Sequence, residues 1–242
     1  MVALETPGRP PALPVFRLKE PSEVMREHYQ RQLQAVHDDL LRMGSRVEHQ
    51  LADAMRALET WDSVLAKQVI AGDGEVDAAR TFIEEQILRI MATQAPVATD
   101  LRTLNATIAI VGELERSGDY AKGIAKRVLR CLAAPTLVDV PANLFRMGAL
   151  AQQMLHTSLD SFVNLDVDLA HSLGDTDEKV DALEDQVVEE LLNAARNDPS
   201  RLECTTHLLD VAHVLERLAD RTTNIGERVI FIATSQAEEL NP

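Results

Sequence analysis

This chain repeats itself. Leu114-Glu115-Arg116-Ser117-Gly118-Asp119 is matched by Leu215-Glu216-Arg217-Leu218-Ala219-Asp220, 101 positions later. The match runs on through Ile124 and Ile225, Arg127 and Arg228, and Val128 and Val229. Upstream, Asp73-Gly74-Glu75-Val76-Asp77-Ala78 is matched by Asp177-Glu178-Lys179-Val180-Asp181-Ala182, 104 positions later. A joint between helices absorbs the small difference in offset. Self-similarity of this kind marks one structural unit laid down twice.

The unit is helical. Leu33, Val36, Leu40, Met43, Val47, Leu51, Ala54 and Leu58 step by three and four, the spacing of a single buried stripe on a helix. The same reading predicts helices over 23–59, 61–94, 97–132, 142–164, 166–197 and 201–234. The second has a soft spot at Gly72-Asp73-Gly74 and stops before Pro96; Ala133-Ala134-Pro135 closes the third. In the third helix Leu101, Leu104, Ile108, Val111, Leu114, Gly118, Ala121, Ala125, Val128 and Leu132 face inward. Aromatic residues are only 3%, which argues against a sandwich or barrel. The predicted fold is all-α: two tandem three-helix bundles, 23–134 and 135–235, elongated because the helices are long. Residues 1–22 hold half of the ten prolines and read as an extended or disordered leader; 236–242 read as a polar tail.

Each repeat carries two acid-x-x-x-acid pairs. They are Asp73/Asp77 and Glu115/Asp119, then Asp177/Asp181 and Glu216/Asp220. Four residues is about one helical turn, so the two carboxylates of a pair share a face and repel. Gly118 beside Asp119 lets a neighbouring helix approach, so the pairs border a helix–helix groove where unpaired charge is costly. Two remedies are open. Arg116, Arg127, Arg217 and Arg228 could supply salt bridges, or a cation could bind between facing pairs, since clustered carboxylates suit magnesium, calcium, manganese or iron. Glu84 and Glu184 lie on the same helices near the Asp pairs and are second-tier ligand candidates that read first as surface residues.

Other chemistry is not evident. There is no Gly-rich phosphate loop and no Ser/His/Asp pattern. The Glu-x-x-His of di-iron bundles does not occur, and His207 and His213 read as ordinary histidines. Cys131 and Cys204 lack zinc spacing and read as buried free thiols, which fits a reducing cytoplasm. The formal charge of −15 disfavours nucleic acid and anionic lipid as partners. No apolar run is long enough to cross a membrane, and Met1–Leu4 followed by Glu5 is no signal peptide.

Pro96-Val97-Ala98-Thr99-Asp100-Leu101-Arg102, Leu114-Glu115-Arg116-Ser117-Gly118-Asp119-Tyr120, and Leu215 to Asp220 followed by Thr223-Asn224-Ile225-Gly226-Glu227 resemble the PhoU family, over about residues 25–235. That resemblance implies a pair of three-helix bundles able to hold multinuclear metal clusters, often iron or zinc. The first cluster would use Asp73, Asp77, Glu115 and Asp119, the second Asp177, Asp181, Glu216 and Asp220. It also implies a non-enzymatic cytoplasmic negative regulator of phosphate uptake and of the phosphate-starvation response. Its partners would be the ATPase subunit of the phosphate transporter, a membrane sensor histidine kinase and a second copy in a homodimer. Two departures stand out: Arg221-Thr222 follows Asp220 where the family has His-Ala or a similar pair, so that Arg221 is expected to weaken metal binding there, and the Pro-rich leader is not part of the family pattern. Two other functions compete with the adaptor: a metal-dependent, phosphatase-like enzyme working through the acidic clusters, and a structural scaffold or metal store.

Overall fold

The computed structural model describes residues 23–241, and the Pro-rich stretch 1–22 lies outside them. Six helices follow in order: α1 (Glu23–Thr60), α2 (Ser63–Gln94), α3 (Ala98–Ala133), α4 (Ala142–Asn164), α5 (Val167–Asn197) and α6 (Leu202–Thr234). A 3-10 turn, Pro199–Arg201, leads into α6. There is no strand among the described residues. At 1.5 Å per residue, α1 is about 57 Å long.

The repeat extends to the joints. Trp61 and Leu165, equivalent residues, both turn the chain with a left-handed backbone (φ 52° and 49°). The next residue is in each case an aspartate that caps the following helix. Asp62 accepts from the backbone N–H of Val64 and Leu65 at 2.8 and 3.0 Å, and Asp166 from Leu169 at 2.9 Å. Such a cap satisfies N–H groups that have no partner within the helix.

Val36, Leu40, Met43, Val47, Leu51, Ala54 and Leu58 are all buried, as the stripe in α1 predicts. Full burial of a side chain such as Leu40 or Leu51 stabilises by about 1.5–3 kcal/mol. Leu101 departs from expectation and is exposed. It sits in the first turn of α3. The soft spot at Gly72-Asp73-Gly74 does not break α2. Burial of Val69, Asp73 and Val76 along one face holds that helix against its neighbours despite two glycines.

The two three-helix units pack antiparallel into one body, with α3 against α6 as the most extensive contact and α1 crossing α4. Cys131 near the end of α3 donates its thiol to the Cys204 carbonyl near the start of α6, at 3.5 Å. Both cysteines are buried and free. Gly44 and Gly148 let α1 and α4 touch: a Cβ at either would come within 2.7 Å of Leu159 or 2.5 Å of Met55. Consequently neither apolar core belongs to one repeat. One joins Leu51–Leu58 and Ala121–Cys131 to Leu144–Met154 and Cys204–Ala219; the other joins Val36–Val47 and Leu104–Leu114 to Leu155–Phe162 and Ile225–Ile232.

Candidate metal centre

Each acidic cluster lies where the second and third helices of its repeat run side by side. Val76 and Val180, between the two aspartates of their pairs, are buried and fix the helix rotation. Asp73 and Asp177 therefore point inward, while Asp77 and Asp181 lie a turn further out. Gly118 works as a close-approach residue, since a Cβ there would meet Gln50 at 3.3 Å and Val76 at 3.4 Å. Its equivalent, Ala219, is fully buried.

The first cluster brings its own cations. Lys122 forms an ion pair with buried Asp73 and reaches Asp119 at 3.4 Å. Arg80 reaches Glu115 at 3.0 Å and Glu84 at 2.9 Å. Burial pushes the Glu115 carboxyl up; Arg80 opposes the shift, and Asp119 and Asp77 add to it. Asp77 is exposed. The salt-bridge remedy holds here, but with different residues from those expected. Arg127 pairs with Asp210 at 3.6 Å, and Arg217 lies over the Tyr120 ring with its Cζ 5.4 Å from the centroid. No ion pair joins Arg116, Arg127, Arg217 or Arg228 to either cluster among the described residues.

The second cluster has no lysine or arginine paired to it among the described residues. The positions equivalent to Arg80 and Lys122 are Glu184 and Thr223. The Thr223 hydroxyl donates to the Asp220 carbonyl of its own helix, at 2.8 Å. Asp177 is only 3% exposed, and its Oδ1 is buried with no hydrogen-bond partner. Burial, reinforced by Asp181, Asp220 and Glu216, pushes its carboxyl up to about 7. Asp181 is raised by burial and by Asp220, and Glu216 by burial, Asp220 and Glu184. Asp177, Asp181 and Glu216 thus feel one field of negative charge, to which Asp220 contributes and which His213 opposes at Glu216.

Two further residues border this cluster: Glu184, a second-tier candidate from the sequence, and His213, which the sequence alone reads as an ordinary histidine. Glu184, His213 and Glu216 each offer a ligand atom within 4.8 Å of the others. The repeat itself held the signal: Glu184 and His213 stand where the first half has Arg80 and Gly112. Arg221, expected to weaken this cluster, turns away and reaches Glu113 on α3 at 3.4 Å. The antiparallel α3–α6 packing supplies that acidic partner. Segment 236–241, expected to be a polar tail, folds back instead. The Asn241 side-chain amide donates to Asp177 Oδ2 at 2.7 Å and to Asp220 Oδ1 at 2.8 Å.

The donor set of the second cluster fits a divalent cation. Glu184, His213 and Glu216 converge and offer two carboxylates and one imidazole nitrogen, a mixture suited to manganese, iron or zinc; Asp177, Asp181 and Asp220 lie outside that convergent group, and the orphaned Asp177 oxygen lacks the partner that a buried polar group requires. The first cluster, with Lys122 and Arg80 already on Asp73, Asp119 and Glu115, is a poorer fit.

Fold and clusters together define a duplicated helical-bundle protein with carboxylate-lined grooves at matching places in its two halves. The PhoU domain model matches residues 40–128 and again 144–229. A phosphate-specific transport system accessory protein PhoU homolog of Clostridium acetobutylicum is 38% identical, over 89% of this chain and 99% of its own. The PhoU accessory protein of Escherichia coli is 34% identical over 85% of each. The crystal structure of PhoU from Pseudomonas aeruginosa superposes with a TM-score of 0.82 at 32% identity, covering 86% of this chain and all of that one. That of the phosphate transport system regulatory protein PhoU from Streptococcus pneumoniae gives 0.81 at 27% identity, covering 87% and 99%. The chain belongs to the PhoU family. No helix among the described residues is long and apolar enough to cross a membrane.

Proposed function

We propose that this protein is a cytoplasmic negative regulator of phosphate uptake and of the phosphate-starvation response. It acts as a non-enzymatic adaptor between the ATPase subunit of the phosphate transporter and a sensor histidine kinase. The match of both halves to the family, and the accessory or regulatory role its relatives' names carry, support this reading. The net charge of −15 suits docking on basic partner surfaces, where it would speed encounter. As in the family, self-association into a homodimer accompanies this role.

The adaptor is cation-responsive, and its cation site is the second cluster. Asp177, Asp181, Glu216 and Asp220, extended by Glu184 and His213, would hold iron, zinc or manganese, in one or more positions. The ion would supply fixed positive charge and rigidity between α5 and α6. The observation that carries this is the buried, partnerless oxygen of Asp177. Asp73, Asp77, Glu115 and Asp119 instead act as a partly neutralised counterpart, in which Lys122 and Arg80 meet Asp73, Asp119 and Glu115, that stiffens α2 against α3.

Pull-down of the transporter ATPase and of the kinase with purified protein, with and without added Mn²⁺, tests the reading. Binding of either partner that Mn²⁺ strengthens, and that Asp177→Asn removes, supports it. Absence of contact with both contradicts the adaptor role. Hydrolysis of a phosphate ester that disappears in Asp177→Asn would establish the phosphatase-like alternative in its place.

A further inference from the structure

Segment 235–241 is seated in a place made for it. After Ser235 ends α6 with a left-handed backbone (φ 64°), the chain turns back along the groove between α5 and α6. Glu238 meets His171 at 3.0 Å. The Leu240 N–H donates to Glu227 at 3.1 Å. Leu240 packs over two glycines: a Cβ at Gly226 would come within 3.1 Å of its side chain, and one at Gly174 within 3.1 Å of its carbonyl. The equivalent residues of the first repeat are Ala125 and Ile70, so only the second repeat has this bare floor. Asn241 follows, and its amide nitrogen bridges Asp177 Oδ2 and Asp220 Oδ1, one carboxylate from each helix.

An N–H group that donates to two carboxylates stands where a cation bridging α5 and α6 would stand. Two hydrogen bonds to charged acceptors offset part of the repulsion between the acids, but they leave Asp177 Oδ1 without a partner. A divalent ion would satisfy more of the cluster, and one that bridged the two helices would take the place between those oxygens that the Asn241 amide nitrogen fills.

We infer that segment 235–241 is an internal strap that competes with a divalent cation for Asp177 and Asp220. Occupation of the second cluster releases the strap and uncovers the apolar floor formed by Leu173, Gly174 and Gly226. This rests on reading the second cluster as a cation site. Linkage makes the coupling reciprocal: what the strap costs the cation in affinity, the cation costs the strap in docking. Cation binding would thereby expose a groove between α5 and α6 and convert occupancy into a change of surface.

Calorimetric titration with Mn²⁺ of three proteins tests this: the full chain, Asn241→Ala, and a chain ending at Ser235. Hydrogen exchange of residues 236–241 in the full chain is followed with and without Mn²⁺. Asn241→Ala keeps Leu240 in its seat, so it guards against a folding defect in the shortened chain. The expected result is affinity about tenfold higher in both altered proteins and faster exchange of 236–241 in the full chain when Mn²⁺ is present. Equal affinities in all three, weaker binding without Asn241, or exchange that Mn²⁺ leaves unchanged or slows would overturn the strap while leaving the cation site standing. No binding to any of the three would overturn both.

Discussion

Arg80 and Glu184 stand at equivalent positions of the two repeats and carry opposite charge. Arg80 lies 3.0 Å from Glu115 and neutralises it, whereas Glu184 adds a further carboxylate beside Glu216. Lys122 and Thr223 repeat the contrast on the neighbouring helix. A duplicated fold has thus kept one set of acids and given its halves two electrostatic fates. In the first, side chains supply the cations. In the second, the repulsion between carboxylates remains, and an ion is the partner that would relieve it.

The first cluster carries a stability prediction. Lys122→Met leaves Asp73, only 6% exposed, without its ionic partner. Removing one member of a largely buried pair strands the other, so the loss is on the order of 2 kcal/mol. Urea denaturation measures it. The double variant Lys122→Met/Asp73→Leu recovers most of the loss, because no charge is then left behind.

Asp177 predicts an unusual pH dependence. Its carboxyl is pushed up to about 7 in the folded protein by burial and by Asp181, Asp220 and Glu216, against a value near 3.9 in an unfolded chain. Between those values the folded state binds the extra proton, so this group's contribution is full at low pH and is lost as pH rises through about 7. Asp181 and Glu216, also raised, act in the same direction. In the presence of chelator, Asp177→Asn is more stable than the parent at pH 8, and the difference shrinks as pH falls from about 7 and vanishes only below about pH 4. Thermal melts across that range check both ends.

Cation binding has the opposite slope. Carboxylates must lose their protons to bind metal, so Mn²⁺ raises the melting temperature more at pH 8 than at pH 6. The rise depends on concentration, as expected for a ligand that binds the folded state alone. His213 lies beside Glu184 and Glu216, and His213→Ala weakens Zn²⁺ more than Ca²⁺, because only the former prizes an imidazole nitrogen.

The paired joints offer a test of the repeat itself. Asp62→Ala and Asp166→Ala each remove a helix cap at equivalent positions, at a cost of about 1 kcal/mol. Asp62 satisfies two backbone N–H groups and Asp166 one, so denaturation curves should show Asp62→Ala as the more damaging of the two.

Much of this was legible in the sequence, because helical periodicity and the repeat are local signals. The stripe from Val36 to Leu58 is buried, and the six helices follow the predicted order. The acid pairs announced themselves through their spacing. What neutralises them did not, because it depends on distances across helices. Lys122 and Arg80 reach their carboxylates only once α2 lies on α3, so the nearer-looking Arg116 and Arg217 drew attention instead. Arg221 adjoins Asp220 in the chain, yet the antiparallel α3–α6 packing delivers it to Glu113. Asn241 lies 64 residues from Asp177 in the chain, and nothing in its composition signals a return to the bundle. A residue-by-residue comparison of the repeats exposes His213 and promotes Glu184 above a second-tier candidate, since they replace a glycine and an arginine.

The two clusters differ in the cations that meet them, and under the proposed function the second alone would hold a metal ion. The most direct measurement is Mn²⁺ binding, by calorimetry and elemental analysis, to two double variants purified alike. Asp73→Asn/Asp119→Asn should bind as the parent does, and Asp177→Asn/Asp220→Asn should lose binding altogether. Loss of binding in the first variant with retention in the second, or equal loss in both, would contradict that reading.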